Sequence, residues 1–173
     1  MKRKIVTVSN PDEEKILRSV AAPVPTGEIG TTKVQNLIRD LKDTLDGTDV
    51  GIAIAAPQIG ESVRIFVVSP KAFGEGASHL VCINPELTRL SKDKRDLNEG
   101  CLSIPEFMGT VRRSVKATLR AYDEHGNKFE RGASGLLAQI FQHEYDHLDG
   151  ILFTDRAKDI RPFEGEDGEE AAV

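Results

Sequence analysis

Val34, Leu37, Ile38, Leu41 and Leu45 recur at intervals of three and four residues, the spacing that lines one face of an α-helix with apolar side chains. Thr32 and Gln35 offer a capping box at the start of this run, and Asp46-Gly47 a stop at its end. A shorter helix is predicted from Asn10-Pro11-Asp12-Glu13 to about Val20, because that start supplies an N-cap, a proline at the first helical position and a glutamate three residues after the cap. Pro23, Pro25, Gly27 and Gly30 make Ala21 to Gly30 a loop.

The middle of the chain changes period. β-Branched runs at Ser62 to Ser69, Leu80 to Asn84, Leu87 to Leu90, Val111 to Tyr122 and Lys128 to Glu130 are separated by turn residues, and Asp123-Glu124-His125-Gly126-Asn127 reads as a hairpin turn. Short strands in succession predict antiparallel sheet. The last helix is expected from a Ser134 cap to Leu148, stopped by Asp149-Gly150. Leu136, Ile140, His143 and His147 form one stripe on it, and Leu137, Phe141, Tyr145 and Leu148 another. A helix apolar on more than one face is buried, so the expected fold class is α+β, with antiparallel β-sheets packed around a central buried helix. No repeat or linker divides the chain, which predicts a single domain over residues 1–160 and an acidic, disordered tail over 161–173.

Composition narrows the class. At 173 residues, with 39% apolar and 29% charged positions, the chain has the length and balance of one globular domain. No apolar run is long enough to cross a bilayer, and Ile5-Val6-Thr7-Val8 after the basic start is too short for a secretion signal. A cytoplasmic location without membrane contact is expected. The net charge of −5 is supplied entirely by Glu164, Glu166, Asp167, Glu169 and Glu170 of the tail, so the remainder sums to zero and no nucleic-acid surface is predicted. Of the two cysteines, Cys82 alternates like a strand residue and is assigned to packing; His79 and His125 lie in turn-like, exposed segments.

The chemistry is concentrated in His143-Glu144-Tyr145-Asp146-His147. Two histidines one helical turn apart can close on one metal ion, and a glutamate beside them is placed to take a proton from an activated water, the arrangement of a metal-dependent hydrolase. Such a site needs about three protein ligands. The third histidine of common zinc peptidases would fall at Phe153, and none follows His147. Asp149, Asp155 and Glu164 stay open downstream. Upstream, Cys101 in Asn98-Glu99-Gly100-Cys101-Leu102-Ser103 is a glycine-flanked thiol in an extended segment, and Arg113 is a candidate partner for Glu99. Gly51-Ile52-Ala53-Ile54-Ala55-Ala56-Pro57-Gln58 makes a tight backbone passage in which Gln58 either donates to an oxyanion or only satisfies backbone.

Together the segments around Gln58, Cys101 and Gln142-His143-Glu144-Tyr145-Asp146-His147 resemble the peptide deformylase family, in order and spacing, over roughly residues 5 to 155. The resemblance implies removal of the formyl group from the N-terminal formylmethionine of new polypeptides. It implies Cys101, His143 and His147 as metal ligands, Glu144 as acid and base, and Gln58 with the Leu102 N–H as oxyanion donors. The implied cofactor is one divalent ion, Fe(II) first, with zinc, nickel or cobalt as substitutes. Ile52, Ala53, Gly100, Leu136 and Ile140 are the implied pocket, N-formylmethionyl polypeptides the partners, and a monomer the expected state. Transient ribosome contact stays open, since the acidic end offers no basic docking helix. One departure is Ala53, where the family has glycine; the added methyl is expected to narrow the site. The competing readings are a zinc endopeptidase and a catalytically silent metal-binding relative.

Overall fold

Ile65, Phe66, Val67 and Val68 are all buried, which a strand achieves only when both of its faces are covered. They form β2 (Ile65–Val68) in the computed structural model, which describes residues 1–74 and 76–163. A five-stranded antiparallel sheet runs in the order β1 (Ala53–Ala55), β2, β3 (Leu80–Leu90), β6 (Lys116–Tyr122), β7 (Lys128–Ser134). On one face, Val34, Ile38, Leu41 and Leu45 of α2 (Thr32–Asp46) pack on Ile54, Ile65, Val67, Val81 and Ile83. On the other, Ile140, Phe141 and Leu148 of α3 (Gly135–Leu148) pack on Phe66, Val68, Cys82, Leu119 and Ala121. Each fully buried aliphatic side chain of this kind contributes about 1.5–3 kcal/mol.

A second antiparallel sheet, β4 (Lys94–Cys101), β5 (Ile104–Ser114) and β8 (Lys158–Pro162), carries its own apolar cluster of Cys101, Ile104, Val111, Leu152 and Phe153, closed by Val6 and by Leu17 of α1 (Pro11–Leu17). The class is therefore α+β with antiparallel sheets.

Several local expectations shift. Helix α1 stops at Leu17, short of Val20, whose side chain is exposed and gives continuation nothing to bury. Thr31 caps α2, and the Gln35 amide donates instead to the Ile29 and Glu124 carbonyls. Strand β3 joins two predicted runs through a bend at Asn84, which adopts a positive φ of 49° and anchors the Val24 backbone through both side-chain atoms. The run Val111 to Tyr122 breaks after Ser114, where the chain leaves one sheet for the other. His79 is half-buried beside Asp46, whereas His125 is exposed as expected. The C-terminal strand β8 pairs with β5; the acidic residues from Glu164 onward, where the tail is expected, lie outside the described residues. Among the described residues, no helix is long and apolar enough to cross a membrane.

Candidate metal centre

Helix α3 presents His143 and His147 from one face, their ring centroids 4.9 Å apart and edge to face. The register of β4 against β5 shifts between Gly100 and Cys101, and the chain turns there to pair Cys101 with Ile104. That turn brings the thiol to the histidines. One ligand atom from each of Cys101, His143 and His147 lies within 4.8 Å of the others, and all three residues are buried. Cys101 Sγ is 3.2 Å from His147 Nε2.

Glu99 locks this arrangement from behind. Its carboxylate accepts from Arg113 Nε at 2.8 Å and Nη2 at 2.9 Å, and lies 3.0 Å from His143 Nδ1. Burial would raise the Glu99 pKa, but the hydrogen bonds and charges of His143 and Arg113 win and hold it at about 2. For His143, burial disfavours the cation, and the contacts with Cys101 and Glu99 more than reverse that. Burial depresses His147. Glu144 is pushed up to about 7 by burial, with His143 opposing and Glu99 adding to the shift.

The residues present fit a metal ion. His143 Nε2, His147 Nδ1 and Glu144 Oε2 are buried without a hydrogen-bond partner, and an unsatisfied polar atom in a protein interior costs about 1–3 kcal/mol. The Cys101 sulfur and two imidazoles, with His147 turning Nε2 rather than its unpartnered Nδ1 to the sulfur, form a donor set for a borderline divalent ion. The other candidate ligands are engaged elsewhere: Asp149 pairs with Arg64, and Asp155 pairs with Arg18 and caps Leu152. Glu164 lies outside the described residues.

Gln58 satisfies backbone with one end of its amide and turns the other end toward Cys101. Its Oε1 accepts the Ala55 N–H at 2.8 Å, while Nε2 faces Cys101 Sγ at 3.5 Å and Ser103 Oγ at 3.3 Å. Leu102 is half-buried in the turn beside it. Ile52, Ala53 and Ile140 share one buried apolar cluster, Gly100 is buried at the end of β4, and Leu136 is 45% exposed at the first turn of α3.

Sequence reasoning missed three polar residues of α3. Gln142 donates to the Ser114 carbonyl and accepts the Ser114 N–H, both at 3.0 Å. Gln139 donates to the Asn98 carbonyl at 2.8 Å. Asp146 accepts from Arg113 Nη1 at 2.6 Å and from Arg156 at 2.8 and 3.0 Å. The signal for Asp146 was its place three residues after His143, on the same side of the helix, where a buried carboxylate needs a cation.

A family model described as polypeptide deformylase matches residues 2–163. Among curated relatives, a peptide deformylase of Chromohalobacter salexigens is 41% identical over 152 residues, covering 88% of this chain and 85% of the relative. One of Clostridium acetobutylicum, peptide deformylase 2, is 42% identical, covering 83% and 89%. Among solved structures, a peptide deformylase from Legionella pneumophila superimposes with a TM-score of 0.80 at 39% identity, covering 92% of this chain and 88% of that one. A class I type b peptide deformylase from Acinetobacter baumannii, solved with Met-Ala-Ser bound, gives 0.80 at 30% identity, covering 90% and 98%.

Proposed function

The chain belongs to the peptide deformylase family and removes the N-formyl group from new polypeptides; on that premise we propose that Cys101, His143 and His147 hold the divalent metal ion at which the hydrolysis takes place. The observation that carries this is the convergence of their ligand atoms within 4.8 Å in a buried site. His143 binds through Nε2, because Glu99 occupies Nδ1. When bound, the ion supplies Lewis acidity, lowering the pKa of a water and polarising the formyl carbonyl. Fe(II) is the ion assigned, and the same donors accept zinc, nickel or cobalt.

Glu144 takes the proton of the attacking water at its unpartnered Oε2 and returns it to the leaving amine, so that formate and a free methionine terminus result. Gln58 Nε2, fixed by the bond of its carbonyl to Ala55, donates to the developing oxyanion together with the Leu102 N–H. Ile52, Ala53, Gly100, Leu136 and Ile140 line the methionine pocket. The substrate backbone adds along β1, an outer strand of its sheet. Ser69 N–H takes the Ile52 carbonyl, so by the alternation of an antiparallel ladder Ala53 turns its backbone groups to the free edge. The Met-Ala-Ser bound by the Acinetobacter baumannii relative supports this substrate class. We assign the enzyme a cytoplasmic location and a monomeric state, with ribosome contact left open.

Release of formate from formyl-Met-Ala-Ser tests the reading. Glu144→Ala should reduce the rate by roughly 100- to 10,000-fold, the range lost with a general acid–base group, while metal content stays at the parent level. A silent relative releases no formate, and an endopeptidase cuts inside the peptide. Absence of formate release by protein loaded anaerobically with iron overturns the proposal.

A further inference from the structure

Arg156 is half-exposed on the 3-10 turn that follows α3, and nothing about its position suggests a part in the chemistry. Its guanidinium nevertheless forks onto Asp146, with Nε 2.8 Å from Oδ2 and Nη2 3.0 Å from Oδ1. Asp146 Oδ2 also takes Arg113 Nη1 at 2.6 Å, Arg113 takes both oxygens of Glu99, and Glu99 Oε2 faces His143 Nδ1. The result is an unbroken chain of charge-assisted hydrogen bonds from a surface side chain to a candidate metal ligand.

We propose that Arg156 and Asp146 are positioning residues that set how tightly the metal is held, by fixing Arg113 on Glu99 and thereby fixing the ring of His143. The inference rests on the assignment of His143 as a ligand. The geometry explains the need for each member. Arg113 is buried and offers donors to two carboxylates; without Asp146 it keeps only Glu99 and can rotate with it. Asp146 lies on the ligand helix itself, between His143 and His147, so the clamp acts on the element that carries the ligands. Arg156 completes the charge balance: two guanidinium groups face two carboxylates, and its bidentate grip fixes the plane of Asp146. Partners behind a ligating imidazole orient its ring and raise its basicity, and their loss typically weakens metal binding about 10- to 100-fold.

The alternative is that Arg156 only braces the end of α3. A second arginine supplies the control. Arg64 ties the same helix end through Asp149 Oδ1 at 2.7 Å and the Leu148 carbonyl at 3.2 Å, and lies over the Tyr145 ring, but has no bonded path to His143. The experiment loads parent, Arg156→Met, Arg156→Lys and Arg64→Met with cobalt(II) and follows the loss of its thiolate charge-transfer absorbance after addition of a chelator. Arg156→Met should lose cobalt roughly tenfold faster than the parent, Arg156→Lys should recover part of the difference, and Arg64→Met should match the parent even though its thermal midpoint falls. Parent-like cobalt loss in Arg156→Met, or equal acceleration in Arg156→Met and Arg64→Met, overturns the proposal. Formate release by the freshly loaded variants reports separately on the site assignment. Loss of that activity in the parent counts against the function, and not against the clamp.

Discussion

At the scale of single residues, the site depends on side chains that each satisfy two demands. Gln58 spends its carbonyl on the Ala55 backbone and keeps its amide for the site, so Gln58→Glu would retain the first bond and lose the second donor. That change should lower kcat by about 100-fold, the order lost when one oxyanion donor is removed, and the carboxyl buried in its place should lower the thermal midpoint as well. Ala53 differs in kind, because its methyl is 2% exposed within the cluster that includes Ile52 and Ile140. Ala53→Gly should cost roughly 1 kcal/mol in unfolding free energy, from the lost methyl and the freer backbone, and should change KM for formyl-Met peptides if the methyl bears on the pocket. Indistinguishable kinetics would remove the pocket role and leave the packing role intact. The histidine pair was legible in the sequence by its spacing, whereas Cys101 and Gln58 entered the candidate site only through the family resemblance. Asp146 was only hinted at by its place three residues after His143, because an aspartate on a helix looks solvated until the two arginines that pair with it are found on other segments.

At the scale of elements, α3 is held to both sheets at once. Gln142 ties it to both backbone groups of Ser114, where the chain passes from β5 to β6. Gln142→Leu fills similar volume but strands a buried N–H and a buried carbonyl, and should cost about 2–6 kcal/mol at 1–3 kcal/mol per unsatisfied group. A lowered urea midpoint with an unchanged m-value is the expected outcome; a midpoint like that of the parent would show that water replaces the amide. Helices α2 and α3 were readable from their periodicity because each buries one or more stripes of its own, and α1, which buries only Leu17, from its cap. Strand β8 was not readable: Lys158–Pro162 is exposed throughout, shows no alternation, and exists only because β5 offers it an edge. The break after Ser114 was hidden for a related reason, since β-branched residues continue across it while the partner strands change.

At the scale of the whole molecule, stability against acid should carry the signature of Glu99. Its pKa in the folded protein, about 2, lies below the ordinary 4.5, so the folded state binds fewer protons than the unfolded chain between those values. The stabilisation is therefore complete above about pH 4.5 and is lost as pH falls toward 2. Its size is a few kcal/mol at most, since a tenfold change in proton affinity between the folded and unfolded chain is worth about 1.4 kcal/mol. Unfolding free energy measured across this window should fall more steeply for the parent than for Glu99→Gln, which has no such proton to take up. Parallel curves would mean that Glu99 is not the group responsible.

The turn at Cys101 brings a thiol into contact with an imidazole 46 positions later in the chain. Under the proposed assignment, one ion held by both residues would act as a staple across that interval, and closing a loop of such length would remove about 3–5 kcal/mol of freedom from the unfolded chain by the reasoning applied to disulfides. Oxidation of the Cys101 sulfur would then open the staple at the same moment that it ended catalysis. A spent molecule would thereby become easier to unfold and to degrade, which would couple the working life of the enzyme to its lifetime as a protein.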